Sequence, residues 1–269
     1  MSACSPSGHR AAKPASDPAQ LLSAAVKKAQ SVNSIVAATN VQTSQIPGAG
    51  ALGALGLTTS GTYTGQTQPS SLREFAGTIQ AGGQSLGSID LISAPAAAYV
   101  QMPPMFKALL HSSKPWTKVP QSELKSGGML ASMLGEATSV DPLAFVQLLG
   151  ESTNTRIVGT GTVNGTATTE VTGSIPASSA VAKLPANLRG SFGQAGTGQI
   201  EFQAWIDAQH NFRKLVVSKA GPGGTAGTRV TFNVTSLNQP VKITVPPAGQ
   251  AATLPPGALK SASSLAAGL

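Results

Sequence analysis

Residues 199–219 read QIEFQAWIDAQHNFRKLVVSK, and the period of this stretch decides the fold. Ile200, Phe202, Ala204 and Ile206 fall on one side, and Glu201, Gln203, Trp205 and Asp207 on the other. Strict alternation is the mark of an antiparallel strand with one covered face and one wet face. With the apolar-rich run that follows, the stretch predicts a hairpin.

Working outward, the same pattern recurs. TNTRIVGTGTV and ATTEVTGSIP flank Asn164-Gly165, a pair that closes tight hairpins. TRVTFNVTSL and VKITV read as the last two strands. Nearer the N-terminus, SIVAATNVQT, TTSGTYTGQT, LREFAGTIQ, GSIDLIS and AAAYVQM read as strands, with AGGQSL joining the third and fourth. Phe75, Gly77 and Ile79 share one face of one arm, and Ile89 and Leu91 one face of the other. IPGAGALGALGL (46–57) reads as a glycine-rich connection.

Helices interrupt this pattern at a few places. Asp17-Pro18 is a helix start, an N-cap followed by proline at the first helical position, and Leu21, Leu22, Ala25, Val26 and Ala29 then recur at helical spacing to about Val32. Asp141-Pro142 repeats the signal. Short apolar helices are expected at about 103–111, 121–134 and 141–150, and another near 179–188. The segment 103–150 concentrates Met105, Met129, Met133, Phe145 and Leu149. Methionine is flexible and polarisable, which suits a surface that fits alkyl chains of variable shape. The same side chains packed on one another would instead fill a core.

Composition narrows the function classes. Of 269 residues only 10% are charged and 4% aromatic, with 30 Gly and 19 Pro, too few charges for a solvated helical bundle. No apolar run approaches the ~18 residues of a membrane-spanning helix. Eighteen basic against ten acidic residues give +8, which favours anionic partners. The basic residues are scattered, without the dense stripe and interleaved aromatics of a nucleic-acid binder, so no nucleic acid is expected. One cysteine excludes an internal disulfide and a CxxC zinc or redox site.

Catalytic patterns fail on context. Gly83–Gly87 fits G-x-S-x-G, but the residues after Ser85 alternate as a strand where the nucleophile elbow needs a helix. Ser122–Lys125 fits S-x-x-K without its partner motifs. His9, His111 and His210 are far apart and show no metal-binding spacing. No catalytic residue, metal or cofactor is assigned.

The order of a helix from an Asp-Pro start, long strands, a strand ending in a PWTKVP turn, DPLAFVQLLG, RIVGTGTVNGTATTEVTG, AWIDAQHNFRKLVV and VTFNVTSLNQPVKITVP resembles actinobacterial lipoproteins of the LppX/LprG type. Those share the half-barrel of the LolA lipoprotein carrier. The resemblance covers about 17–247. It implies an α+β fold: a curved antiparallel β half-barrel whose concave face is covered by helices, with an apolar cavity for acyl chains between them. The candidate lining residues are Phe75, Ile79, Leu91, Met105, Met129, Met133, Phe145 and Leu149. The implied organisation is a tether over 1–16, the half-barrel over 17–247 and a disordered low-complexity tail over 248–269.

The opening MSACSPSGHR fits this picture, because bacterial lipoproteins are cut before a cysteine preceded by small residues, as in Ser2-Ala3-Cys4. No charged and apolar leader precedes it, so a start further upstream or a trimmed chain is expected, with Cys4 as the mature, lipid-modified N-terminus. The expectation is a monomeric lipoprotein on the outer side of the cell membrane, anchored through acylated Cys4. It carries a lipid or glycolipid, with a membrane exporter as a candidate partner, and performs no chemistry. The alternative is a docking or sensor module of the same fold with a filled interior; an esterase built around Ser85 is a distant third.

Overall fold

Asp17 opens the first helix as its sequence predicts: its side chain accepts from the Ala19 amide at 2.9 Å, Pro18 takes the first helical position, and α1 runs Pro18–Ala29. The computed structural model describes residues 17–44, 56–104, 107, 112–124, 134, 140–183, 198–221, 227–259 and 261. Cys4 and the tether, Met105, Met129, Met133, His111 and nearly all of the 46–57 connection lie outside them.

The strands are β1 (Ser34–Thr43), β2 (Leu57–Gln66), β3 (Leu72–Ala81), β4 (Gln84–Ser93), β5 (Ala97–Gln101), β6 (Trp116–Pro120), β7 (Thr153–Val163), β8 (Thr166–Pro176), β9 (Gln199–Asp207), β10 (Phe212–Lys219), β11 (Thr228–Leu237) and β12 (Ala251–Thr253). Short helices α2 (Gln121–Leu124), α3 (Pro142–Leu148) and α4 (Ala177–Lys183) join them, and a 3-10 turn, Leu149–Glu151, follows α3. All strands form one open, curved sheet of order β12-β6-β5-β4-β3-β2-β1-β11-β10-β9-β8-β7, antiparallel except for the parallel pair β12–β6.

The turn chemistry is what the sequence asks for. Asn164 (φ 48°) and Gly165 (φ 77°) both adopt the left-handed conformation, closing the β7–β8 hairpin in the sense that suits strand twist. At mid-sheet, Gly61 of β2 lies opposite Gly77 of β3. A Cβ at Gly61 would strike the Ala76 carbonyl oxygen, and one at Gly77 the Ser60 carbonyl oxygen. The strands therefore approach here in a way that no side-chain-bearing residue permits, and glycine pairs of this kind are how sheets bend.

Three expectations are corrected. PWTKVP is an edge-region strand: Thr117 and Val119 are buried in alternation, and Trp116–Pro120 pairs with β5. Five residues inside an apolar, helix-rich segment give too short a period to separate strand from helix. VKITV forms no strand although Ile243 is buried. The β11 strand that precedes it already sits between β1 and β10, so no edge is open there, and Pro240, Pro246 and Pro247 withhold donors. Finally, the stretch 248–269 is not wholly a disordered tail, because Ala251–Thr253 pairs with β6 and Leu254 and Leu259 are buried in the core.

Candidate ligand-binding face

Cross-strand register shows which side of the sheet is apolar. Ile157, Val171, Ala204, Leu215, Phe232, Thr39, Gly61, Gly77 and Ile89 are successive partners from β7 to β4, so they stand in one row on one face. Large apolar residues occupy both ends of this row and small ones its middle. Along this row two apolar lobes flank a narrow waist, and a smaller buried cluster of Val32, Ile35, Ala37, Tyr63 and Val234 lies beside the waist, on and just before β1 and on β2 and β11.

The first lobe packs Leu21, Leu22 and Ala25 of α1 and Phe145, Val146 and Leu148 of α3 onto β8–β11, with Leu149 beside them. The Phe145 and Phe232 rings meet at 5.5 Å between centroids. The second lobe packs Phe75, Ile79, Ile89, Leu91, Val100 and Val119 against Leu134 and the C-terminal Leu254 and Leu259. At the waist the Phe75 ring lies over both glycines, within 2.8 Å of where their Cβ atoms would be. Deleting a side chain from a strand leaves a slot on its face, and the neighbouring ring fills it.

A polar network holds α3 to the waist. Arg73 of β3 lies 3.1 Å from Asp141, the N-cap of α3, and the buried Tyr63 phenol bonds with both. Burial and the Asp141 carboxylate push the Tyr63 pKa well up, with Arg73 opposing. Burial works against the Arg73 charge, but Asp141 and Tyr63 outweigh it and raise its pKa. Lys219, buried at the C-terminal end of β10, has its pKa lowered by desolvation. Sequence reasoning missed Tyr63, Arg73 and Lys219. Tyr63 and Arg73 meet Asp141 across about 70–80 residues of chain, so no local spacing marks them.

The candidate lining residues therefore fall into two groups. Phe75, Ile79 and Leu91 share the second lobe, and Phe145 and Leu149 the first; all are 9% exposed or less. They do not border one common hollow among the described residues. An enclosed apolar cavity under α1 and α3, between Ala29, Val32, Ile35, Leu143, Val146 and Phe232, measures about 20 Å³, room for one water. Beside it an open polar cleft of about 480 Å³ runs from Lys28 past Asn211 and Arg213 to Asn238 and Gln239.

Ser85 sits in strand β4 and not on a strand-to-helix elbow, and Asp207 is committed to Asn211 and Arg213. Among the described residues no three His, Cys, Asp or Glu side chains group as metal ligands, and no helix is long and apolar enough to cross a membrane.

Comparison with known proteins places this architecture. The family model described as LppX_LprAFG lipoprotein matches residues 17–243. The chain belongs to the LppX_LprAFG lipoprotein family. Among solved structures, it is similar to LprF from Mycobacterium bovis, at 16% identity and a TM-score of 0.54, covering 87% of this chain and 99% of that one. It is also similar to the lipoprotein LppX from Mycobacterium tuberculosis, at 18% identity and a TM-score of 0.51, covering 85% and 100%. No match was found among curated proteins. The LppX_LprAFG match is to a lipoprotein family and not to a family defined by a reaction.

Proposed function

We propose that the protein is a cell-envelope lipoprotein that binds and carries a lipid or glycolipid on its apolar inner face, without catalysis. The observation that carries this reading is the row of inward residues running across nine strands, apolar at both ends and roofed by short elements. A four-residue helix, a seven-residue helix and a C-terminal segment can part from the sheet without breaking its main ladders. Among the described residues the apolar hollow under α1 and α3 holds about 20 Å³, so on this reading a ligand enters there by moving the roof. Phe75, Ile79 and Leu91 would then line one lobe and Phe145 and Leu149 the other, with Met105, Met129 and Met133 in the cover. Each buried CH₂ contributes about 0.8 kcal/mol, enough for two long chains to be held without a charged contact.

Anchoring follows from the same reading. A diacylated Cys4 supplies the two chains that stable attachment needs, and the residues after it give reach from the outer face of the membrane to the folded unit. The protein acts as a monomer and meets an exporter at the membrane. Intact-mass measurement of the native protein tests the anchor: a diacylglyceryl adduct on Cys4 is expected, and an unmodified thiol there defeats it.

Native mass spectrometry after gentle purification tests carriage. Co-purifying lipid, lost on delipidation and regained from added phospholipid, is expected; a chain that stays empty under both conditions overturns it. The small closed cavity favours one second reading, a docking module whose filled interior never opens. That module would give the empty result and bind a protein through its wet β face.

A further inference from the structure

The second lobe is filled by the chain itself. Leu254 and Leu259 are 3% and 0% exposed and pack with Phe75, Ile79, Leu91, Val100 and Val119. Branched alkyl side chains thus stand where the lipid-carrier reading places an acyl chain. The segment that delivers them lies beyond residue 243, where the family match ends. The remaining eleven strands are joined to one another without it.

Among the described residues, this segment is attached chiefly by hydrogen bonds at its edge. Ala251–Thr253 forms a three-residue parallel pair on the outer side of β6, the less stable kind of pairing. The Trp116 amide donates to the Gln250 carbonyl at 3.1 Å, and the Leu254 amide to the Lys118 carbonyl at 2.8 Å. Lys114 donates to the Ala248 and Ala251 carbonyls. Past Pro255-Pro256, the Gly257 amide donates to the buried Glu123 carboxylate at 3.0 Å, which aims Leu259 inward. Every one of these bonds can be exchanged for water when the segment leaves. Among the described residues the two leucines supply most of its apolar burial, with Ala251 and Ala258 adding less, and an incoming alkyl chain replaces that burial like for like.

We infer that residues 250–259 form a plug in cis: they occupy the acyl-chain lobe beneath β3–β6 and are displaced when an acyl chain enters. This rests on the lipid-carrier reading. The plug keeps the lobe dry when no ligand is bound, and it lowers apparent affinity by the fraction of molecules in which it is seated.

The experiment measures binding of dansyl-undecanoic acid to three forms: the full chain, a chain ending at Pro247, and the full chain carrying Leu254→Ser and Leu259→Ser. Both altered forms are expected to bind about tenfold tighter, as for a plug seated in about nine molecules of ten. Amide hydrogen exchange on the unaltered chain gives a second readout. Saturating probe should deprotect the Leu254 and Gly257 amides while the β3–β4 ladder stays protected. Equal or weaker binding by both altered forms, with those amides still protected under saturating probe, overturns the plug and leaves lipid carriage standing. Binding by none of the three forms overturns lipid carriage and the plug with it. If the shortened chain does not fold, the full-length double variant and the exchange measurement decide the matter.

Discussion

Arg73 Nε on β3 lies 3.1 Å from Asp141 Oδ2, while Asp141 Oδ1 accepts from the Leu143 amide at 2.9 Å and so caps α3. A single carboxylate thus fastens the roof helix to the middle of the sheet. Asp141→Ala removes both contacts. The cap is worth about 1 kcal/mol, and an ion pair to a partly exposed arginine adds less than about 1 kcal/mol. Urea unfolding should therefore show a loss of about 1–2 kcal/mol for Asp141→Ala and a smaller one for Arg73→Met. The two losses should be less than additive in the double variant. Full additivity would mean that the pair does not couple roof to sheet.

Asp207 carries the opposite kind of consequence, one for the wet end of the first lobe. Its buried carboxylate accepts from the Gln209 and Asn211 amides, the Asn211 side chain and Arg213, whose nearest nitrogen is 2.7 Å away. Burial alone would raise its pKa, but the hydrogen bonds from Asn211 and Arg213 outweigh it and hold the carboxyl below its usual value. A depressed carboxylate stabilises the fold above its unfolded pKa of about 4, and that contribution fades as pH falls through the lower folded value. Asp207→Asn should destabilise the protein at pH 7 by about 2 kcal/mol, because Arg213 and two backbone donors lose a charged acceptor. The gap to the unaltered protein should narrow below pH 4 in acid titrations followed by circular dichroism. A gap that stays constant through the acid range would show that the charge of Asp207 is not what matters.

The sheet was legible in the sequence where strands are long and half wet, as in Gln199–Asp207 and the Asn164-Gly165 hairpin, since period and turn chemistry are local. It was not legible at Trp116–Pro120, where five residues between helical signals carry too few periods, nor at Ala251–Thr253, hidden in a run of Ala, Pro and Gly. Leu254 and Leu259 stand five residues apart around Pro255-Pro256, and that spacing of two large apolar residues was the only available signal. For the site, Phe75, Ile79 and Leu91 could be placed on one face by alternation. Their separation from Phe145 and Leu149 could not, because it is set by Gly61 pairing with Gly77, a register that strand periodicity does not fix.

On the opposite face, Asp90 of β4 has its pKa raised by burial, and Glu74 of β3 has its own raised by burial and by Asp90. A carboxyl with a raised folded pKa holds its proton more tightly in the folded state, so its cost appears as pH climbs from the unfolded pKa through the folded one. Asp90→Asn removes this cost and also relieves Glu74. Its melting temperature should therefore exceed that of the unaltered protein at pH 7 and converge with it as pH falls below the unfolded carboxyl pKa of about 4. A variant that melts lower at pH 7 would mean that the Asp90 charge makes a favourable contact within the fold that outweighs its burial.

Glycines in this sheet are not equivalent, and two alanine substitutions separate their roles. At Gly77 a methyl group would meet the Ser60 carbonyl oxygen and come within 2.7 Å of the Phe75 ring, so the β2–β3 pair must open or the ring must leave the waist. Backbone cannot yield as a flexible side chain can, and overpacking of this kind costs about 1–3 kcal/mol. Gly159 of β7 has no atom within 4 Å of its missing Cβ, so alanine there adds no clash and removes the entropy penalty of a strand glycine, about 0.5–1 kcal/mol. Gly77→Ala should thus lower the urea midpoint and Gly159→Ala should hold or raise it. Because the Phe75 ring divides the two lobes, Gly77→Ala should also change acyl-probe binding while Gly159→Ala leaves it alone. Tolerance of both substitutions alike, in stability and in binding, would show that the bend at Gly61–Gly77 does not shape the inner face.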